Sequence, residues 1–410
     1  MQLNTTDKLL LSSLLPTEAS AARLRQLMAT ESELAEIDWP TTIRRAEFHS
    51  IASLLRFNLG QTGLLDWPPQ QQREQLRVTS QTWAARHLAY VSEAARLVAA
   101  LKAENITTIP LKGAALMLGG YYPQAGLRAA LDIDLLVEPD KQEQADQIVA
   151  ALGYQELPGR RSVPARQRLA NEVNHLWPRR GPSGLILELH RRAFQFARQE
   201  RDFSFAEVHS RAVTVSVGED DLLLPSPTDL AFHLVHHTLV DLQTTKAILR
   251  TVADLHFIFA NQPVARSSMI RQAVEFGFGG AAHLASELER LLASGSLSDL
   301  DEAANGERFG LLFETALAEE TLALADAARL FEYLDFSRHP MTKLGNLFSL
   351  LFTSRRHLTE LYGQTEQGSV YWKYLRRPFD LLRKFNRAGL SPANLWRVWK
   401  LRKLAGRGSK

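Results

Sequence analysis

Apolar residues recur at three- and four-residue intervals through the first hundred positions, which predicts helices across residues 6–104. "TTIRRAEFHSIASLLRFNLG" carries such a stripe, with Thr41 or Thr42 placed to cap it and Gly60 to stop it. "WPPQQQREQLRVTSQTWAARHLAYVSEAARLVAALKAENI" opens on prolines suited to a helix start and runs on as one long helix to about residue 104. The period then changes. "ITTIPLKG" is β-rich, "AALMLGGYYP" reads as a short helix closed by Gly119 and Gly120, and "AALDIDLLVE" reads as a second strand. "DKQEQADQIVAALGY" predicts a helix whose apolar face is Ala145, Ile148, Val149 and Leu152. "NEVNHLWPRR" and "GLILELHRR", joined by Gly181-Pro182-Ser183-Gly184, predict a hairpin. From Pro225 the helical period returns in "SPTDLAFHLVHHTLV", with Ser226-Pro227 at its start. "TTKAILRTVADLHFIFA" follows as a partner helix, and further helices continue to about residue 361.

The expected fold class is α+β: an α/β core with a mixed sheet, flanked by mainly helical regions at both ends. The pattern divides the chain into a helical region 1–104, an α/β core 105–215, a helical domain 216–365 and a tail 366–410.

Within the core, strand alternation puts Asp132 and Asp134 on one face, with Ile133 opposite. Two carboxylates held this close repel unless a cation or a shared proton separates them. A divalent ion with oxygen ligands, Mg²⁺ or alternatively Mn²⁺, resolves the repulsion. Glu188, a lone acid in the apolar strand "LILELH", is the candidate third carboxylate, and His190 shares its face. Lys112-Gly113 ends the first strand and opens directly into a helix, where Gly113 would permit close approach of a phosphate. Lys112 and Arg128 would add positive charge for a triphosphate. Plainer readings stand beside these. Lys112 could be a surface lysine at a turn, Arg128 could pair with Asp132 or Asp134, and His190 could pack beside the acids without ligating.

"IPLKGAALMLGGYYPQAGLRAALDIDLLVEPDKQEQADQIVAALGY" followed by "ILELHRR" resembles the DNA polymerase beta–like nucleotidyltransferase superfamily. More narrowly it is similar to a bacterial family described as uncharacterised nucleotidyltransferases, whose pattern is Leu-Lys-Gly, an Arg shortly before Asp-x-Asp, then Glu-Leu-His. The resemblance implies a polymerase-beta-like core and metal-dependent, ATP-binding or other NTP-binding chemistry. Asp132, Asp134 and Glu188 would be the metal-binding and catalytic carboxylates, with Lys112 and Gly113 at the phosphate position. The implied reaction moves a nucleoside monophosphate from a nucleoside triphosphate to an acceptor hydroxyl or amine and releases pyrophosphate. The acceptor is open between small molecule, peptide, protein and RNA. The alternative is a non-catalytic module that keeps the fold for binding.

"TDLAFHLVHHTLVD" places Asp229, His233 and His237 at four-residue steps. That face suits a metal, substrate contacts bordering the acceptor site, or a buried network with Arg250 and Asp254.

Composition narrows the class. The 410 residues are 45% hydrophobic and 23% charged, as in a soluble globular chain, and no apolar run of about 18 residues offers a membrane span. There is no cysteine, which excludes disulfides, thiolate zinc sites and thiol nucleophiles. The start lacks a basic segment before its apolar stretch, so a signal peptide is not expected and a cytoplasmic location is the default. Residues 369–410 hold 12 Lys and Arg against one acid, so an acidic body of about −8 carries a tail of about +11. In that tail Trp372, Tyr374, Phe379, Phe385, Trp396 and Trp399 alternate with cations on two short amphipathic helices flanking residues 389–392. Such a tail can dock on the acidic body through its aromatics, or contact an anionic membrane surface, nucleic acid or an acidic partner.

Overall fold

The computed structural model describes residues 2–29, 36–157, 175–194, 203–218, 220–240, 247–317 and 392–406, with single positions 374, 376 and 379. It is a mixed α+β fold around a five-stranded mixed sheet. Helices α1 (Thr5–Ser12), α2 (Glu18–Leu27), α3 (Trp39–Phe48), α4 (Ala52–Gln61) and α5 (Gln70–Ala103) precede it. The expected single helix over residues 41–60 is two. Asp38, not Thr41 or Thr42, caps the first by accepting from the Thr41 backbone N–H, and Ser50 at φ 58° breaks the run. Gly60 lies inside α4. The long helix is as expected: Pro69 is its N-cap and Glu104 its C-cap over 34 residues.

β1 (Thr108–Pro110) leads into α6 (Lys112–Leu118), which Gly119 caps. β2 (Asp132–Val137), α7 (Gln142–Ala151), β3 (Gln155–Glu156), β4 (Arg179–Arg180) and β5 (Ile186–His190) complete the sheet, in the order β1-β2-β5-β4-β3. The hairpin read from the Gly-Pro-Ser-Gly stretch forms, with Arg179 opposite Leu187 and Gly184 at φ 90°. The central pair β2·β5 is parallel and sets Asp134 opposite Glu188. Alternation does the rest. Ile133, Leu135, Val137, Leu187 and Leu189 enter one apolar cluster with Ala145 and Val149 of α7. Asp132, Asp134, Glu188 and His190 therefore share the opposite face.

Next come α8 (Phe205–Ser210) and a β6 (Val213–Val217)/β7 (Asp220–Leu224) hairpin. Leu222 and Leu224 of that hairpin, and Tyr90, Leu97 and Leu101 of α5, pack in the same cluster as the sheet. The unit around the sheet thus draws on residues either side of the 105–215 span. α9 (Pro227–Val235) starts at Ser226, whose hydroxyl accepts from the Asp229 N–H, and continues into a π-helix, His236–Val240. α10 (Ala247–Asn261), α11 (Val264–Glu275), α12 (Gly279–Ser294), α13 (Leu297–Asn305) and α14 (Glu307–Ala316) follow.

The helices before and after the sheet share one core: Leu9, Leu24 and Leu55 pack in a cluster with Phe232, Leu255 and Leu292. Polar clasps reinforce it. Arg23 donates from Nε to Ser12 and from its terminal nitrogens to Ser20 Oγ and the carbonyls of Leu292 and Gly295.

Of the tail, helix α15 (Pro392–Gly406) is described. It docks on the body, through a different face from that expected. Val398 and Leu401 are buried in the main cluster, Arg397 faces Glu314 at 3.6 Å and Lys400 faces Glu307 at 2.9 Å. Trp396 and Trp399 are turned outward under Lys400 and Lys403. Trp372 and Phe385 lie outside the described residues, as do the helices expected over 318–361; of the first expected tail helix only Tyr374, Arg376 and Phe379 are described, each helical, with Phe379 exposed. Among the described residues no helix is long and apolar enough to cross a membrane.

Candidate functional site

Asp134 is the centre of the site. It is 1% exposed on the sheet's inner strand, and its Oδ1 accepts from Lys112 Nζ at 2.6 Å and lies 2.7 Å from His190 Nε2. The same imidazole nitrogen is 3.6 Å from Glu188 Oε2. One ligand atom each from Asp134, Glu188 and His190 lie within 4.8 Å of one another. These are the groups that could share a cation. Asp132 shares their face but not this cluster. It is the exposed residue at the strand's start, and its backbone carbonyl accepts from Tyr90 OH at 2.7 Å.

Electrostatics follow from that geometry. Burial alone would raise Asp134, but the Lys112 ammonium and His190 hold it well below the usual carboxylate range. Burial would likewise lower Lys112, yet Asp134, Glu188 and Asp132 together push it up. Glu188 goes down because its bond to His190 and the Lys112 charge outweigh burial and Asp134. His190 goes up: burial and Lys112 oppose protonation, and the two carboxylates it touches override them. Asp132, though at the accessible start of the strand, is raised by partial loss of solvent around its carboxyl and by the charge of Asp134. Two acids on one face are thus driven apart, one firmly ionised and one made more basic.

The expected phosphate contacts are arranged otherwise. Lys112 is no free surface lysine: at φ 46°, a left-handed conformation that costs a non-glycine residue energy, it turns into the site and pairs with Asp134. Gly113 is buried, and the Cβ it lacks would meet Ala130 Cβ at 3.2 Å and the Arg128 guanidinium at 3.8 Å. Its missing side chain makes room for the 128–130 segment, where a phosphate was expected. Arg128 is 5% exposed and pairs neither with Asp132 nor with Asp134. Its Nε donates to Asp254 Oδ1 at 2.7 Å, an oxygen that also accepts from Tyr122 OH at 2.6 Å. Gly126 brings this segment in. At φ 84°, its backbone passes so close to α5 that a Cβ would stand 2.5 Å from the Ala84 nitrogen.

The histidine face divides. Asp229 is held by Arg211, by Ser226 and by Gln272 Nε2 at 2.9 Å, and Asp254 by Arg128 and Tyr122, so the two acids belong to separate networks. His233 is buried beside the carboxylate cluster, and burial together with the Lys112 charge pushes it well below its ordinary range. His237 follows on the π-turn, its ring 6.5 Å from that of His233. Sequence reasoning passed over His175, whose ring lies 5.5 Å from that of His190, tilted by 55°, across an isolated bridge, and Tyr90 under Asp132. Neither stands in a pattern that marks it; only the fold brings them in.

A cavity of about 620 Å³ lies between α2, α4 and α10, lined by Phe57, Asn58, Tyr121, Tyr122, His256 and Asn261. It shares Tyr122 with the Asp254 network and none of the acidic cluster, so the chemistry and not the cavity marks the site.

Two carboxylates and an imidazole from one strand pair, behind a strand-to-helix turn, form a group that could hold a cation in a mixed α+β fold. The chain belongs to the uncharacterised nucleotidyltransferase family, whose match spans residues 35–293 and so takes in the sheet, the acidic cluster and α10. No curated protein and no solved structure is significantly similar to it.

Proposed function

We propose that the protein transfers a nucleoside monophosphate from a nucleoside triphosphate to an acceptor hydroxyl or amine. The acceptor's oxygen or nitrogen bonds to the α-phosphorus, the bond from that phosphorus to the bridging oxygen breaks, and pyrophosphate leaves. The observation that carries this reading is the parallel pairing of Asp134 with Glu188, which sets two carboxylates and His190 within reach of one ion.

The donor set fits a divalent ion. Asp134 and Glu188 supply hard oxygens and His190 a nitrogen, a mixture that suits Mn²⁺ at least as well as Mg²⁺. Such an ion would supply charge neutralisation at the transferred phosphate. Asp132 has the remaining role. Open to solvent, with no hydrogen bond to its carboxylate among the described residues, it stands where an acceptor would arrive and can take the acceptor's proton. Glu188, engaged with His190, is the poorer base. His233, bordering the cluster with His237 next to it, would face the acceptor.

A binding-only reading rests on the internal engagement of Lys112, Gly113 and Arg128. One experiment separates the two. The full-length protein is incubated with each α-labelled nucleoside triphosphate and Mn²⁺ or Mg²⁺, and pyrophosphate release and label transfer are followed. Metal-dependent release that is lost in Asp134→Asn supports transfer. Metal-independent nucleotide binding without release supports the binding module.

A further inference from the structure

The three positions expected to hold phosphate are all occupied with other work, which leaves a triphosphate without a cation. The fold supplies one elsewhere. Arg250 lies on α10, one turn before Asp254. After burial, Arg128, Asp254 and Asp132 act on its charge most, the first repelling and the two acids attracting. Its Nε is buried with no partner among the described residues.

The buried arginines of this chain have partners. Arg23 donates to Ser12, Ser20 and two carbonyls, Arg128 to Asp254 and the Ala129 carbonyl, and Arg179 grips Asp146 through two nitrogens at 2.6 Å each. A guanidinium nitrogen buried without an acceptor is costly, because that N–H loses water without gaining a partner. Here a second cation, Arg128, stands beside it and adds repulsion. Burial and Arg128 pull the Arg250 guanidinium down to about 10, still charged at neutral pH. A cation with an unpartnered nitrogen beside a nucleotidyl-transfer carboxylate is matched by an incoming oxyanion, and a guanidinium fork suits phosphate oxygens.

We propose that Arg250 is the residue that holds the β- and γ-phosphates of the nucleoside triphosphate next to Asp132. The inference rests on the transfer reading above and assigns to α10, outside the strand–turn–helix segment, the recognition of the leaving pyrophosphate.

Because the base is unidentified, the probe is inorganic tripolyphosphate with Mn²⁺, titrated by calorimetry into the full-length protein, with the four nucleoside triphosphates as a parallel set. Arg250→Gln is expected to weaken tripolyphosphate binding about 10- to 100-fold, with Arg250→Lys intermediate. Thermal stability is expected to be unchanged or higher in Arg250→Gln, since a cation that repels Arg128 and carries an unpartnered buried nitrogen has been removed. A lower melting temperature with unchanged tripolyphosphate affinity would make Arg250 a structural partner of Asp254 and overturn the proposal. Loss of orthophosphate binding alone would assign it to an anionic group on the acceptor and overturn it too. If the unaltered protein binds neither tripolyphosphate nor any nucleoside triphosphate, the transfer reading itself falls and this inference with it.

Discussion

Lys112 Nζ sits 2.6 Å from Asp134 Oδ1, at the side of the carboxylate that a metal ion would also need. The ammonium neutralises the acid, so lysine and metal would draw on the same carboxylate. Lys112→Met removes one partner of a buried pair and is expected to destabilise the metal-free protein by about 3 kcal/mol. Mn²⁺ should then raise the melting temperature of the variant more than that of the unaltered protein. Equal metal responses in the two proteins would show that they do not compete.

Asp132→Asn separates proton transfer from metal binding. The exposed residue lies outside the acidic cluster, so the variant should keep its Mn²⁺ affinity. Pyrophosphate release should slow by about 100-fold or more, the usual contribution of a positioned base. A large loss of Mn²⁺ affinity by calorimetry would place Asp132 among the ligands instead.

Asp254 is fully buried between Arg128 and Tyr122. Asp254→Ala leaves the buried Arg128 without its bonded carboxylate and is expected to cost about 3–5 kcal/mol in chemical denaturation. A loss under about 1 kcal/mol would mean that the network contributes little to holding the 128–130 segment.

His233 sets a pH dependence. Its folded pKa lies well below the ordinary 6.5, so at lower pH the unfolded chain binds a proton that the folded protein does not. Its contribution is fully present above about pH 6.5 and is lost as pH falls towards the folded value, by up to about 1.4 kcal/mol per unit. His233→Phe should flatten the stability–pH slope between about pH 5 and pH 7 in urea titrations. An unchanged slope would show that His233 is not held neutral.

Much of the sheet was legible because its signals are local. Alternation placed Asp132, Asp134, Glu188 and His190 on one face, Gly-Pro-Ser-Gly marked the hairpin, and Ser226-Pro227 marked the start of α9. Partner choice was not legible. Nothing around Arg128 says that it will pair with an aspartate 126 residues later, and nothing around Arg250 says that its Nε will be buried without a partner. Gly113 signalled close approach, but not what approaches. The tail shows the same limit: its amphipathic pattern was readable, whereas the choice of Val398 and Leu401 over the tryptophans as the docking face depends on the surface it meets.

The 34-residue helix α5 contributes Leu76 to one apolar cluster and Tyr90, Leu97 and Leu101 to the other. Thirteen positions of rigid rod, 77–89, lie between Leu76 and the tyrosine under Asp132. Adding or deleting one residue there would rotate one end against the other by about 100° and turn Tyr90 away from its carbonyl. Side chains on the outward positions of this rod have room to vary, but its length does not, and relatives of this protein should differ in loop size while counting the same number of residues across that span.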